Sequence, residues 1–103
     1  MDLPALWRLH QAAPFPLSAL ALAVGGMKLV KLDAEVGAIL TGSLRTDGVP
    51  RLPSGDRRAS LQRGLEVVRQ ALREAPLDQG ARDYFSRLET LSLAVLDVPS
   101  PTS

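Results

Sequence analysis

The one histidine of the chain, His10, is the first residue to consider for chemistry, because general acid–base catalysis needs a group that titrates near the working pH. Nothing near His10 in the sequence supplies a nucleophile with an orienting partner, and a chain without cysteine has no thiolate. We therefore predict that His10 is a surface or partly covered side chain. The sequence predicts no catalytic residue and a protein that is not an enzyme.

The acidic residues do not have the spacing of metal ligands. Asp33 and Glu35 are two residues apart, so they do not share a helix face. Asp78 and Asp83 stand near the start of one predicted helix, where carboxylates cap the helix and interact well with its dipole. No phosphate-loop, calcium-loop or zinc-binding motif is present. We predict neither a metal site nor a cofactor.

Asp33 lies beside the apolar face of its helix, between Leu32 and Ala34, and allows two interpretations. In the first, it is a solvated or hydrogen-bonded surface group. In the second, it is a partly buried acid that pairs with Arg87 or Lys28, because an unpaired buried charge is costly.

Arginine dominates the charge between residues 45 and 73. A nucleic-acid surface needs a dense basic stripe, often with aromatic side chains for base stacking, and the aromatic residues lie elsewhere in this sequence. The net charge of the whole chain is only +1. We interpret the arginines as a solvated face, with weak nucleic-acid binding as the alternative. The residues that would carry this binding are Arg57, Arg58, Arg63, Arg69 and Arg73, with Arg45 and Arg51 at the start of the basic stretch.

The elements that must position these residues are helical. Strict alternation, which a strand needs, is absent from the long segment that begins at Met27. Glycines at 25 and 26 and a proline at 76 mark the ends of predicted helices. We predict helices over residues 3–12, 17–24, 27–45 and 56–75 and from about 79 to 97, with a connection over 46–55.

Each of the three long predicted helices carries an apolar stripe at three- and four-residue spacing. The helix over 27–45 also carries small residues at Ala34, Ala38 and Gly42, which let another helix approach closely. The apolar stripes are Leu29, Leu32, Val36, Ile39 and Leu40, then Leu61, Leu65, Val68 and Leu72, then Tyr84, Leu88, Leu91 and Val95.

The uncharged stretch over residues 14–27 has the composition of a membrane anchor, an export signal or a protein core. A membrane span needs about 20 predominantly apolar residues, and prolines and glycines interrupt this stretch. A secretory signal has a basic leader, whereas the segment before this one carries Asp2 as well as Arg8. We predict that the stretch belongs to the core of a cytoplasmic protein, and an export signal over residues 1–24 stays open as the alternative.

The composition is that of one small globular domain. The chain has 103 residues, of which 46% are hydrophobic, 22% charged and only 4% aromatic. The core must therefore consist of leucine, alanine and valine, which pack well in helical bundles. We predict an all-α fold, a small helical bundle of three main helices plus a short N-terminal helix. The single helical domain spans residues 1–98, and residues 99–103 form a flexible C-terminal tail.

Several short motifs resemble those of a family of small uncharacterised helical proteins from high-GC bacteria. The resemblance covers most of the chain and implies that residues 14–33 belong to the mature domain. It implies no activity, because none is assigned to the family. The residues that carry it are Phe15, Pro16, Gly26, Leu29, Val30, Leu32, Asp33 and Gly37, then Tyr84, Phe85, Arg87 and Leu88.

The abundance of apolar stripes in so short a chain predicts a function in protein association. A four-helix monomer covers one face of each helix, so surplus apolar surface needs a partner. We predict a small non-enzymatic helical interaction module that forms a homodimer or binds an unidentified protein partner. Weak nucleic-acid binding is the alternative. The third interpretation is a small-ligand carrier with a pocket between the bundle and the N-terminal segment. The predicted interaction residues are Trp7, Phe15, Ala34, Ala38, Gly42, Tyr84 and Phe85.

Overall fold

The computed structural model describes residues 2–45 and 49–98. Over these residues the chain forms four α-helices, a short 3₁₀ turn and one antiparallel hairpin of two strands, so the predicted small helical bundle is confirmed. The predicted tail at 99–103 and residues 46–48 of the predicted connection lie outside the described residues. The helices are α1 (Leu3–Ala12), α2 (Leu29–Leu44), α3 (Gly55–Glu74) and α4 (Gln79–Leu96), and the strands are β1 (Ala23–Val24) and β2 (Met27–Lys28).

Local sequence accounts for the starts of α1 and α4. The Asp2 carboxylate accepts a hydrogen bond from the Ala5 amide at 3.2 Å, and Pro4 lies in the first turn, where its missing N–H has no cost. At α4 the Asp78 carboxylate accepts from the Ala81 amide at 2.8 Å, as predicted. That hydrogen bond lowers the pKa of Asp78, because it favours the charged form of the carboxyl.

The predicted helix over 17–24 is wrong. Only Leu17–Ala19 forms a 3₁₀ turn, and the chain then makes the hairpin of β1 and β2. Gly25 and Gly26 have φ of 58° and 80°, which is the conformation of a two-residue hairpin turn and one that glycine adopts without steric cost. Because Met27 and Lys28 pair in the hairpin, α2 begins two residues later than predicted.

The core lies between α2, α3 and α4, whose apolar stripes are buried against one another. Gly64 allows α2 and α3 to approach closely, since a Cβ atom added to it would lie 2.6 Å from Val36 Cγ2. The predicted stripes are buried except at Ile39 and Leu72, which are half-buried. The large side chains with the least exposure are Phe85, Leu29, Leu32, Leu40, Leu44, Leu61, Leu88 and Leu91.

Helix α1 packs on α4 and is also tied to the end of α2. The Trp7 side chain is only 2% exposed, and its Nε1 donates a 2.6 Å hydrogen bond to the carbonyl of Arg45. Arg45 follows the last residue of α2 and has φ 51° and ψ −145°, so the chain turns there with its carbonyl towards α1. The single indole hydrogen bond thus links the first helix to a point 38 residues away.

Candidate functional site

A polar cluster lies where α1, α2 and α4 meet. It consists of His10 from α1, Asp33 from α2, and Tyr84 and Arg87 from α4. The apolar periodicity of each helix determines this placement, because each of these residues lies on or beside the buried stripe of its own helix. The cluster is the one place in the described chain where several titratable groups with shifted pKa values lie together.

Tyr84 and Asp33 form the central contact of the polar cluster. The Tyr84 hydroxyl donates a 2.7 Å hydrogen bond to Asp33 Oδ1. Burial raises the pKa of the Asp33 carboxyl, and the hydrogen bond from Tyr84 offsets part of that rise. Burial also raises the pKa of the Tyr84 phenol well above its usual value, and both the hydrogen bond to Asp33 and its negative charge raise it further. Of the two interpretations of Asp33, the structure shows a half-buried, hydrogen-bonded group whose partner is Tyr84.

His10 is buried, so the prediction of a surface or partly covered side chain is wrong. Its ring lies 4.6 Å from the Tyr84 ring and is stacked at 6.4 Å on the Trp7 ring. Burial, and then the positive charge of Arg87, lower the pKa of His10 to about 4, so the ring is neutral at pH 7. Its Nδ1 is buried and has no hydrogen-bond partner among the described residues.

Arg87 completes the polar cluster by lying against an aromatic ring. Its guanidinium carbon is 5.7 Å from the centroid of the Tyr84 ring, within the range of a cation–π contact. Its Nε is buried without a hydrogen-bond partner in the described part of the chain. The second interpretation of Asp33, a pairing with Arg87 or Lys28, is not what the structure shows, because Tyr84 is the hydrogen-bond partner of Asp33.

The geometry of the polar cluster does not favour acid–base chemistry near neutral pH. A histidine with a pKa of about 4 is a weak base at pH 7, and a phenol whose pKa is raised is a weak acid. Within residues 2–45 and 49–98, no group of three histidine, aspartate or glutamate side chains could hold a metal ion. What the cluster does is join α4 to α2 through the half-buried Tyr84–Asp33 hydrogen bond, and α4 to α1 through the tilted contact of the Tyr84 and His10 rings.

The predicted aromatic interaction residues lie in the core of the monomer. Trp7, Tyr84 and Phe85 are buried, and Phe15 is half-buried with its ring 5.6 Å from that of Tyr84 and 6.0 Å from that of Phe85. These four rings join α1 and the segment after it to α4. In this conformation the three buried rings do not contribute to a surface that a partner could contact.

The predicted small-residue stripe lies at the surface, unlike the predicted aromatic residues. Ala34, Ala38 and Gly42 are all exposed on the outer face of α2. Gly42 lies beneath Arg57, because a Cβ atom added to Gly42 would be 3.2 Å from Arg57 Nη1. The stripe is therefore available at the surface, and no element of the described chain packs on it closely at Ala34 or Ala38.

The structure does not bring the five predicted arginines of α3 together as one basic face. Arg69 Nε pairs with Glu89 Oε2 at 3.1 Å, and Arg63 Nη2 donates to the Ser60 hydroxyl at 3.0 Å. Arg73 is exposed near the other end of α3, and Arg58 is half-buried. A different set comes together instead, since a cavity of about 260 Å³ is lined by Arg45, Arg51 and Arg57 with Ser43 and Ser54.

Two surface grooves lie between pairs of helices, and the second of them is in the place where the small-ligand interpretation put a pocket, between the N-terminal segment and the bundle. An apolar groove between α2 and α3 is lined by Met27, Val36, Ile39 and Val67, with Glu35 and Arg63 at its rim. A second groove runs between α1 and α4. Hydrophobic periodicity contains no signal for either, because a groove depends on the gap between two helices rather than on one helix. The second groove is lined by Leu6, Leu9, Asp83, Ser86, Arg87 and Thr90.

Comparison with known proteins finds no matching family model, no similar curated protein and no similar solved structure. The resemblance to small proteins of high-GC bacteria therefore stays a prediction. A search of the described helices finds none that is both long and apolar enough to cross a membrane.

Proposed function

We propose that this protein is a small non-enzymatic helical interaction module that self-associates, most simply as a homodimer. The observation that carries the proposal is the exposure of large apolar side chains around a core that is already closed. Leu17 is 82% exposed, Leu9 57% and Leu20 49%. Each of the three main helices meanwhile has its predicted stripe largely buried within the monomer.

The exposed leucines are a substantial source of association energy. Complete burial of one such side chain contributes about 1.5–3 kcal/mol, and a symmetric dimer buries each contact twice. Association itself costs about 4–15 kcal/mol in lost freedom of motion, so one leucine per copy is not enough. Two leucines from each copy contribute about 6–12 kcal/mol, so the balance reaches about −8 kcal/mol, which is micromolar affinity, when the cost of association is near the lower end of its range.

The test of self-association is sedimentation velocity of the wild-type protein from about 1 to 200 µM, a range that brackets the expected affinity. We expect a reversible shift from the 11.0 kDa monomer to a species of twice that mass as the concentration rises. A monomer of 11.0 kDa throughout this range would contradict self-association.

The second candidate function is weak nucleic-acid binding, and the cavity formed by Arg45, Arg51 and Arg57 is the observation that favours it. Guanidinium groups around one cavity suit a phosphate. Fluorescence anisotropy with random DNA and RNA at low salt tests this candidate. Arg57→Gln should weaken binding and reduce its salt dependence, whereas Arg73→Gln, at the exposed end of the same helix, should have less effect. No binding at low salt removes the candidate.

Both candidate functions work without a cofactor. Cytoplasmic localisation and bacterial origin belong to this proposal as predictions from the sequence. Fractionation of cells that express the native protein checks the localisation, and mass determination of the purified protein shows whether residues 1–24 are retained.

A further inference from the structure

The groove between α1 and α4 combines apolar surface with one charge of each sign. Leu9 is 57% exposed at its edge, and Leu6 is half-buried beside it. On the α4 side the groove is lined by Asp83 and Arg87, with the smaller Ser86 and Thr90 around them. Small side chains between two charged groups allow the backbone of another helix to come near.

Neither charge of the groove has an ion-pair partner in the described chain. Asp83 and Arg87 are four residues apart, a spacing at which such residues commonly pair along a helix. Here Asp83 Oδ1 instead accepts a 2.7 Å hydrogen bond from Gln79 Nε2, and Arg87 lies over the Tyr84 ring. Arg87 is half-buried, lines the groove and has no carboxylate partner in the described chain, so a carboxylate from outside the monomer would compensate its charge.

We propose that this groove is the surface through which two copies of the chain associate, with their α4 helices antiparallel. A two-fold axis that passes α4 midway between Asp83 and Arg87 places Asp83 of each copy opposite Arg87 of the other. The ion pair then forms twice, because a two-fold interface repeats every contact. This interface rests on the proposed self-association and covers Leu9, one of the three exposed leucines on which that proposal stands.

Charge complementarity makes a second copy the occupant that fits the groove. The groove carries one carboxylate and one guanidinium, so a ligand or partner segment of a single charge would satisfy one of them and leave the other unpaired. An inverted copy of the same helix supplies both. Leu6 and Leu9 of each copy lie beside the paired charges and exclude water from them, which strengthens the ion pairs.

Charge reversal tests the reciprocal pairing. Asp83→Arg puts two cations of each copy opposite two of the other, and Arg87→Asp does the same with two anions. Each variant alone should dimerise at least about tenfold more weakly than wild type, because like charges meet twice. An equimolar mixture of the two variants should form a heterodimer of one copy each, which native mass spectrometry detects from their mass difference. Failure of the mixture to associate, with both variants folded, would overturn the proposal.

Arg87 also contacts Tyr84, so circular dichroism of each variant is recorded first to establish that it folds. Asp83 is exposed, so its replacement leaves the core intact, and the Asp83 variants test the interface even without Arg87→Asp. Asp83→Arg should weaken dimerisation more than the neutral Asp83→Asn. Wild-type affinity of Asp83→Arg would overturn the proposal.

Ala38→Arg is the matched control, because it places the same side chain on the exposed stripe of α2. It should leave the dimer affinity unchanged. If Ala38→Arg dissociates the dimer while Asp83→Arg does not, the interface is the small-residue stripe of α2, and the α1–α4 groove is excluded as the interface. A wild-type protein that stays monomeric contradicts the proposed function itself, whereas a wild-type dimer that is insensitive to Asp83→Arg contradicts only the α1–α4 interface.

Discussion

The Tyr84 hydroxyl donates a 2.7 Å hydrogen bond to the Asp33 carboxylate, across 51 residues of sequence. This contact joins the first half of the bundle to the last helix and satisfies a half-buried acid with a neutral donor. A neutral donor does not neutralise the carboxylate, and for this reason burial still raises the pKa of Asp33.

Tyr84→Phe should destabilise the protein by about 1–2 kcal/mol at pH 7. The substitution keeps the ring contacts with His10 and Phe15 but leaves the Asp33 carboxylate half-buried without its donor. Urea denaturation monitored by circular dichroism measures the change. Stability equal to that of wild type would show that the hydrogen bond contributes nothing net.

Asp33→Asn is the companion variant, since its side-chain oxygen still accepts from Tyr84 and its charge is gone. The folded-state pKa of Asp33 is raised above the unfolded value of 3.8, because folding favours the protonated carboxyl. The favourable contribution of Asp33 to folding stability is therefore fully present below pH 3.8 and is lost as the pH rises through the folded pKa. We therefore expect Asp33→Asn to be at least as stable as wild type at pH 7. The difference should shrink as the pH falls towards 3.

Acid should destabilise the fold through His10. Its folded-state pKa of about 4 is below the unfolded value of 6.5, so its contribution to stability is complete above pH 6.5 and is lost as the pH falls to about 4. The loss is at most about 3 kcal/mol. Urea titrations at a series of pH values between 7 and 4 measure it. His10→Phe keeps an aromatic ring but does not titrate, so the free energy of unfolding of this variant should depend less on pH. An identical pH dependence in the variant and the wild type would exclude His10 as the cause of the acid destabilisation.

Gly64→Ala should destabilise the bundle by about 1 kcal/mol. An added methyl group 2.6 Å from Val36 Cγ2 forces α2 and α3 apart, at a cost of about 1–3 kcal/mol that exceeds the gain of about 1 kcal/mol in helix propensity. Gly37→Ala is the matched control, because no atom lies within 4 Å of its added Cβ. It should raise the melting temperature, and a lower melting temperature for Gly37→Ala than for Gly64→Ala would contradict this account.

Arg45→Gly should stabilise the protein by about 1 kcal/mol, because φ 51° with ψ −145° is strained for a residue with a Cβ atom. The variant retains the carbonyl that accepts from Trp7 Nε1. Trp7→Phe should act in the opposite direction, since it removes that donor and part of a buried side chain. Thermal unfolding of the two variants checks both signs.

The sequence by itself determined the four α-helices and most of the buried stripes of α2, α3 and α4. The stripes of α2, α3 and α4 recur once per turn, and the Asp78 cap depends on residues three apart, so both are properties of short segments. The sequence missed the hairpin because the alanines and leucines before Gly25 have helical propensity, whereas two residues with positive φ turn the chain back on itself.

Only the tertiary structure decided which polar side chains meet. Periodicity places Asp33 beside the apolar face of α2 and Tyr84 on the buried face of α4, but it does not determine how far each helix rotates or how closely it approaches its neighbour. Those positions come from the packing of α2, α3 and α4 on one another and of α1 on α4. Asp33 therefore meets Tyr84 rather than a cation, His10 is buried, and Asp83 and Arg87 lie unpaired along one groove.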